Sequence, residues 1–192
     1  MPRTAKQFED IRTDRKKSIL DAALHIFSEE GYHNTSISKI SKEAGVSKGL
    51  MYNYFESKEA LLQILIGSLF DDEMNDMRKI LEQAVSEESM IEFIKIGTKI
   101  LKSKPKEWKL YFSMSTQPEV LKIIQDKFSN DHILFSEKLL EFFKMKKHKD
   151  PQLSLIYFGT ALAGKKVSYI TDPDNYPIDK IEELIIKQFI TS

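Results

Sequence analysis

Thr35-Ser36-Ile37-Ser38-Lys39-Ile40-Ser41-Lys42-Glu43-Ala44-Gly45-Val46-Ser47-Lys48-Gly49-Leu50-Met51-Tyr52-Asn53-Tyr54-Phe55 is the stretch on which the fold turns. Ser36 can cap a short helix whose one face carries Ile37, Ile40, Ser41 and Ala44, and Gly45 closes it. Gly45-Val46-Ser47 then reads as a tight turn into a third short helix from Lys48 to about Phe55. Upstream, Ile19, Leu20, Ala23, Leu24 and Phe27 recur at helical spacing and Gly31 is a stop, which predicts an amphipathic helix over 14–30. Three helices, the last two joined by a glycine turn, make a helix-turn-helix unit. Ala44 is small where two helices cross, and Gly45 takes a left-handed backbone without steric cost. Ile40, Val46 and Met51 are spaced to face the first helix, so the third has an outward face of a size to enter a DNA major groove.

The residue types on that face suit a duplex. Ser36 and Ser47 stand at helix starts, where a hydroxyl and open amides hold a phosphate. Lys48 and Asn53 can donate to base edges, and the hydroxyls of Tyr52 and Tyr54 reach the sugar-phosphate backbone. Lys58 opens the next helix with its charge ready for a phosphate. Leu50 either presses on a thymine methyl or packs into the core. Arg12, Arg15, Lys16 and Lys17 add a locally basic segment, preceded by an arm over 1–10 that is expected to be flexible.

These residues carry a family resemblance. Asp14 to Ala23, Phe27, Gly31-Tyr32, Thr35-Ser36-Ile37, Ile40, Ala44 to Gly49, Met51 to Phe55 and Ser57 to Leu62 together resemble the N-terminal domain of tetracycline-repressor (TetR) family regulators. The resemblance covers about the first third of the chain. Ser41 stands where the family usually has alanine, and Leu50 where it often has threonine; the second difference bears on which bases are read. The resemblance implies a homodimeric transcriptional regulator, usually a repressor, with a variable ligand-binding C-terminal domain. Carried over position by position, it implies DNA contacts at Ser36, Ser47, Lys48, Gly49, Tyr52, Asn53, Tyr54 and Lys58.

Composition narrows the remaining classes. The 192 residues hold 29 basic and 29 acidic side chains, so any polyanion site is a local patch and not a uniformly basic coat. Seven glycines and six prolines are few for this length and favour long helices. Zero cysteines remove disulfides, thiolate catalysis and cysteine-based zinc sites. Leu61 to Phe70 is the longest apolar run, about half a bilayer span, and no signal-like segment opens the chain, so a cytoplasmic protein without membrane contact is expected. Helical periodicity continues through 90–102, 108–114, 118–128, 133–145, 153–170 and 178–190. The expectation is an all-α protein of roughly nine helices, with a helix-turn-helix domain over 1–60 and an effector-binding and dimerisation domain over 61–192.

The C-terminal part offers fewer chemical signals. Gly159-Thr160-Ala161-Leu162-Ala163-Gly164-Lys165-Lys166 matches a phosphate loop as far as the lysine. Lys166 stands where Ser or Thr must hold magnesium, however, and no strand precedes it. The small residues Gly159, Ala163 and Gly164 instead predict close helix approach, and with Ile185 they are the expected two-fold dimer contact. An apolar or amphipathic effector is expected near Trp108, Phe112, Met114 and Tyr157. The scattered His25, His33, His132 and His148 show no metal spacing, and Asp71-Asp72-Glu73 with Asp76 reads as a solvated face; no metal or cofactor is expected. The competing class is a helical small-molecule-binding protein or an enzyme with an incidental helix-turn-helix. No nucleophile elbow or intact nucleotide loop favours the enzyme.

Overall fold

The computed structural model describes residues 5–81 and 85–191. Nine helices are present among them: α1 (Ala5–Glu30), α2 (Ile37–Glu43), α3 (Lys48–Tyr54), α4 (Lys58–Leu81), α5 (Glu87–Ser103), α6 (Pro105–Met114), α7 (Pro118–Met145), α8 (Pro151–Thr171) and α9 (Ile178–Phe189). No strand occurs among the described residues, and no helix there is long and apolar enough to cross a membrane.

Local chemistry sets most boundaries. The Ser36 and Ser47 hydroxyls accept the amides of Lys39 and Leu50, capping α2 and α3. Gly45 adopts φ +65° between them, the left-handed turn that only glycine takes without strain. Pro105, Pro118 and Pro151 occupy first turns, where a missing amide costs nothing. A capping box between Ser86 and Ser89 opens α5.

Two expectations are corrected here. α1 begins at Ala5, so 5–10 is helical and not a flexible arm; nothing between Ala5 and Asp14 breaks a helix, and Ala, Lys, Gln and Arg favour one. Residues 1–4 of that expected arm lie outside the described residues. The segments 118–128 and 133–145 are one continuous helix, α7, because Ser129-Asn130-Asp131-His132 contains neither glycine nor proline. The expected division at residue 60 falls inside the first turn of α4, so one helix belongs to both halves.

Around α1–α3, Ile19, Ala23, Phe27, Ile40, Met51 and Phe55 are buried, with Leu61 of α4 beneath them. Each such large side chain contributes about 1.5–3 kcal/mol of burial, which holds a unit of so few residues together. Ser41 is buried as well, and its hydroxyl donates to the Ser38 carbonyl at 3.0 Å, so the serine at this crossing leaves no unpaired group. α4 continues into the larger half and packs against α5, α6 and α7, while α8 packs on α6, α7 and α9.

Candidate nucleic-acid interface and effector cavity

α3 has two faces of opposite character. Met51 and Phe55 are fully buried, Leu50 and Tyr54 are half-buried, and Ser47, Lys48, Gly49, Tyr52 and Asn53 are exposed. Leu50 therefore sits at the boundary between the two faces. Tyr54 packs against the core and is less available than its neighbour Tyr52. Ser36 is exposed at the start of α2. The sequence-predicted DNA set is thus brought together on one side of the small domain, with one exception.

The exception is Lys58. Its ammonium donates to the Tyr32 carbonyl at 2.9 Å and the Thr35 carbonyl at 3.1 Å, and lies 4.2 Å from the centroid of the Tyr32 ring. The expected phosphate-binding charge is turned inward, onto carbonyls left open by the α1–α2 connection. Beside it, the Tyr32 hydroxyl donates to Glu59 Oε1 at 3.0 Å. The Glu59 carboxylate is held below its ordinary value by the backbone amide it accepts, then by the Ser57 and Tyr32 hydroxyls. Nothing in residue spacing marks Lys58 as an anchor; only the turn at 31–35 brings the carbonyls to it.

Two further links cross between the halves. His33 Nε2 lies 2.8 Å from Gln117 Oε1, and Lys109 pairs with Glu29 at 3.2 Å. α6 packs along α1, so both α4 and α6 connect the small domain to what lies beyond it.

Beyond it is a cavity of about 260 Å³ bounded by α4 to α8. Six aromatic rings line it: Phe70, Phe93, Trp108, Tyr111, Phe112 and Phe135. Trp108 and Phe112 were expected there. The other two expected residues are not: Met114 is buried in the core, and Tyr157 is exposed against Phe189 on the far side of α8. Met114 follows Trp108 by six residues, which rotates it away on α6, and Tyr157 faces outward by the same helical arithmetic.

The expected dimer residues also separate. Ile185 is buried in the protomer's own core, and Leu184 beside it is 60 % exposed, so the outward position on α9 is one residue earlier than expected. Gly159 and Ala163 line the rim of the aromatic cavity. Gly164 lies instead along the outer strip of α8, with the exposed Leu153, Ile156, Tyr157 and Val167. Counting small residues identified the helix but not which of them faced which way.

A buried polar group went unseen in the sequence. Lys165 is 2 % exposed and donates to Thr98 Oγ1 at 2.8 Å, with Glu182 Oε2 at 3.5 Å; the Thr98 hydroxyl also lies against Glu182. Burial pushes the lysine down from its ordinary value, opposed by the Glu182 charge. The group joins α5, α8 and α9. Within the acidic run, Asp71 pairs with Lys127 and Asp76 with Lys79 at 2.9 Å. The side chains of Asp72 and Glu73 lie outside the described residues.

With this geometry in view, the class of protein can be stated. Residues 19–65 match the family model for bacterial regulatory proteins of the tetR family, and through this domain the chain belongs to that family. Among known proteins, it is 42 % identical over 71 residues to the fatty acid metabolism regulator protein of Bacillus subtilis, covering 37 % of this chain and 34 % of that one. It is 32 % identical over 97 residues to the transcriptional regulator RutR of Escherichia coli, covering 50 % and 46 %. The chain thus spans less than half the length of these curated relatives. Likeness in fold extends further. The fatty acid degradation regulator FadR of Bacillus halodurans superposes with a TM-score of 0.73 at 21 % identity, over 92 % of this chain and 94 % of that one.

Proposed function

We propose that this protein is a ligand-responsive transcriptional repressor that binds a near-palindromic DNA operator as a homodimer. The observation that carries the reading is the two-sidedness of α3: Met51 and Phe55 fill the core while Lys48, Gly49, Tyr52 and Asn53 are held outward on a rigid frame. A seven-residue helix reads only a few base pairs, so two copies about one helical turn apart are needed for specificity. We assign DNA contact to Ser36, Ser47, Lys48, Gly49, Tyr52 and Asn53, with Leu50 and Tyr54 at the edge of the interface. Lys58 sets the seat of α4 instead of touching phosphate.

The outer strip of α8 supports dimerisation. Ile156 is 66 % exposed and Leu153 61 %, and Leu184 of α9 is similarly open. Such a run of large apolar groups suits a self-complementary two-fold contact. The cavity supports an apolar or amphipathic effector. α4 lines it through Phe70 and Met74 and is clamped to the reading domain at Lys58, so a ligand that repositions α4 changes the separation of the two α3 helices. A coupling of about 1–3 kcal/mol changes operator affinity five- to 150-fold.

A gel-shift assay against the upstream region of the protein's own gene tests the reading. Sequence-selective, salt-dependent retention that is lost on Lys48→Ala with Asn53→Ala, without loss of folding, is the expected result. Retention unaffected by both substitutions excludes this face.

A further inference from the structure

The chemistry of the α4–α8 cavity says more about its occupant than that it is apolar. Among the described residues that line it there is no carboxylate; the two nitrogen bases are Lys166 and His132. Lys166 places its ammonium 4.3 Å from the centroid of the Trp108 ring, at the margin of the aromatic lining. The remaining lining is rings in edge-to-face and stacked contact: Phe70 against Trp108 at 5.9 Å and 67°, Trp108 against Phe112 at 5.5 Å and 26°, Phe93 against Phe135 at 4.6 Å. A further ring extends such an array with the same quadrupole geometry, which a flexible alkyl chain does not.

Size limits the occupant. At about 30 Å³ per water-sized group, 260 Å³ holds about nine non-hydrogen atoms. That is one ring and a short polar head. An entry is present where Gly159 and Ala163 stand at the rim, since a Cβ added at Gly159 meets nothing within 4 Å. Cationic charge at the margin, rings within and a narrow volume give one consistent ligand.

We propose that the cavity binds a single-ring aromatic carboxylate, its ring among Phe70, Trp108 and Phe112 and its carboxylate on Lys166. This rests on the regulator reading above and names the chemical class of its effector. The long acyl group of stearoyl-CoA, which the structurally similar FadR of Bacillus subtilis holds (TM-score 0.62, 20 % identity, over 91 % of this chain and 97 % of that one), exceeds this volume.

Trp108 is the sole tryptophan, so its fluorescence reports on this cavity alone. The full-length protein is titrated with benzoate, with the neutral isostere benzamide, and with stearoyl-CoA. The expected result is saturable quenching by benzoate with benzamide at least tenfold weaker. Lys166→Met lowers benzoate affinity to that of benzamide and leaves benzamide unchanged. Gly159→Leu, an exposed helix position where a larger side chain meets open space, abolishes both while the melting temperature is kept. Equal affinity for acid and amide, an unchanged ratio in Lys166→Met, or saturation by stearoyl-CoA alone overturns the assignment. Operator retention by the unliganded protein, measured on the same preparation, separates the outcomes: its loss defeats the regulator reading, while its presence without benzoate binding defeats only the ligand class.

Discussion

Lys58 shows how much one side chain can do away from the surface it was expected to serve. Its two hydrogen bonds close the carbonyls of Tyr32 and Thr35, and its charge rests on the Tyr32 ring. Replacing it by methionine leaves those carbonyls open and is expected to cost about 1–3 kcal/mol in denaturant unfolding. Because its ammonium is not directed at phosphate, Lys58→Met should weaken operator binding without changing the slope of log affinity against log salt. Lys48→Ala, by contrast, should reduce that slope by about 0.9. A reduced slope in Lys58→Met would return this lysine to the phosphate set. Glu59, one residue on, has a carboxylate lowered from 4.5 by the backbone amide and two hydroxyls. A group depressed in the folded state contributes stability that is present above its unfolded value and lost as pH falls through its folded one. Thermal melts should therefore fall more steeply below about pH 4.5 in the parent than in Glu59→Gln. The difference stays under about 1 kcal/mol because the carboxylate is exposed.

At the scale of elements, α8 carries three separate faces. Phe158 and Lys165 turn into the protomer, Gly159 and Lys166 turn to the cavity, and Ile156 and Val167 turn out. The inward lysine joins α8 to α5 through Thr98 and to α9 through Glu182. Removing one partner of a buried pair leaves the other charge uncompensated, so Lys165→Ala should destabilise by about 3–5 kcal/mol. Lys165→Met combined with Glu182→Leu should recover most of that loss, because neither charge then remains. Equilibrium denaturation of the two single variants and the double variant closes this cycle. An additive double variant would show that the pair is not coupled.

For the whole molecule, function depends on two recognition helices held at one separation. The outer strip of α8 is solvent-exposed in the protomer, so a charge there should act on assembly and spare the fold. Ile156→Glu is expected to convert the dimer into a monomer in sedimentation, with little change in melting temperature and a large fall in operator affinity. A dimer that persists would move the interface elsewhere. The same strip lies beside the cavity rim at Gly159 and Ala163, which puts effector and assembly on neighbouring faces of one helix.

Sequence by itself determined the local structure: Ser36, Gly45 and Ser47 bound the reading helices, and the spacing of Ile40, Met51 and Phe55 sets which face is buried. These follow from hydrogen bonds and periodicities that span a few residues, so neighbours along the chain are enough to state them. Lys58, Lys165, Ile185 and Tyr157 were placed otherwise by tertiary structure. The roles of the two lysines depend on partners 17 to 67 residues away, which no local spacing encodes. The roles of Ile185 and Tyr157 depend on rotating a helix by a single residue, about 100°, which exchanges core, cavity and surface.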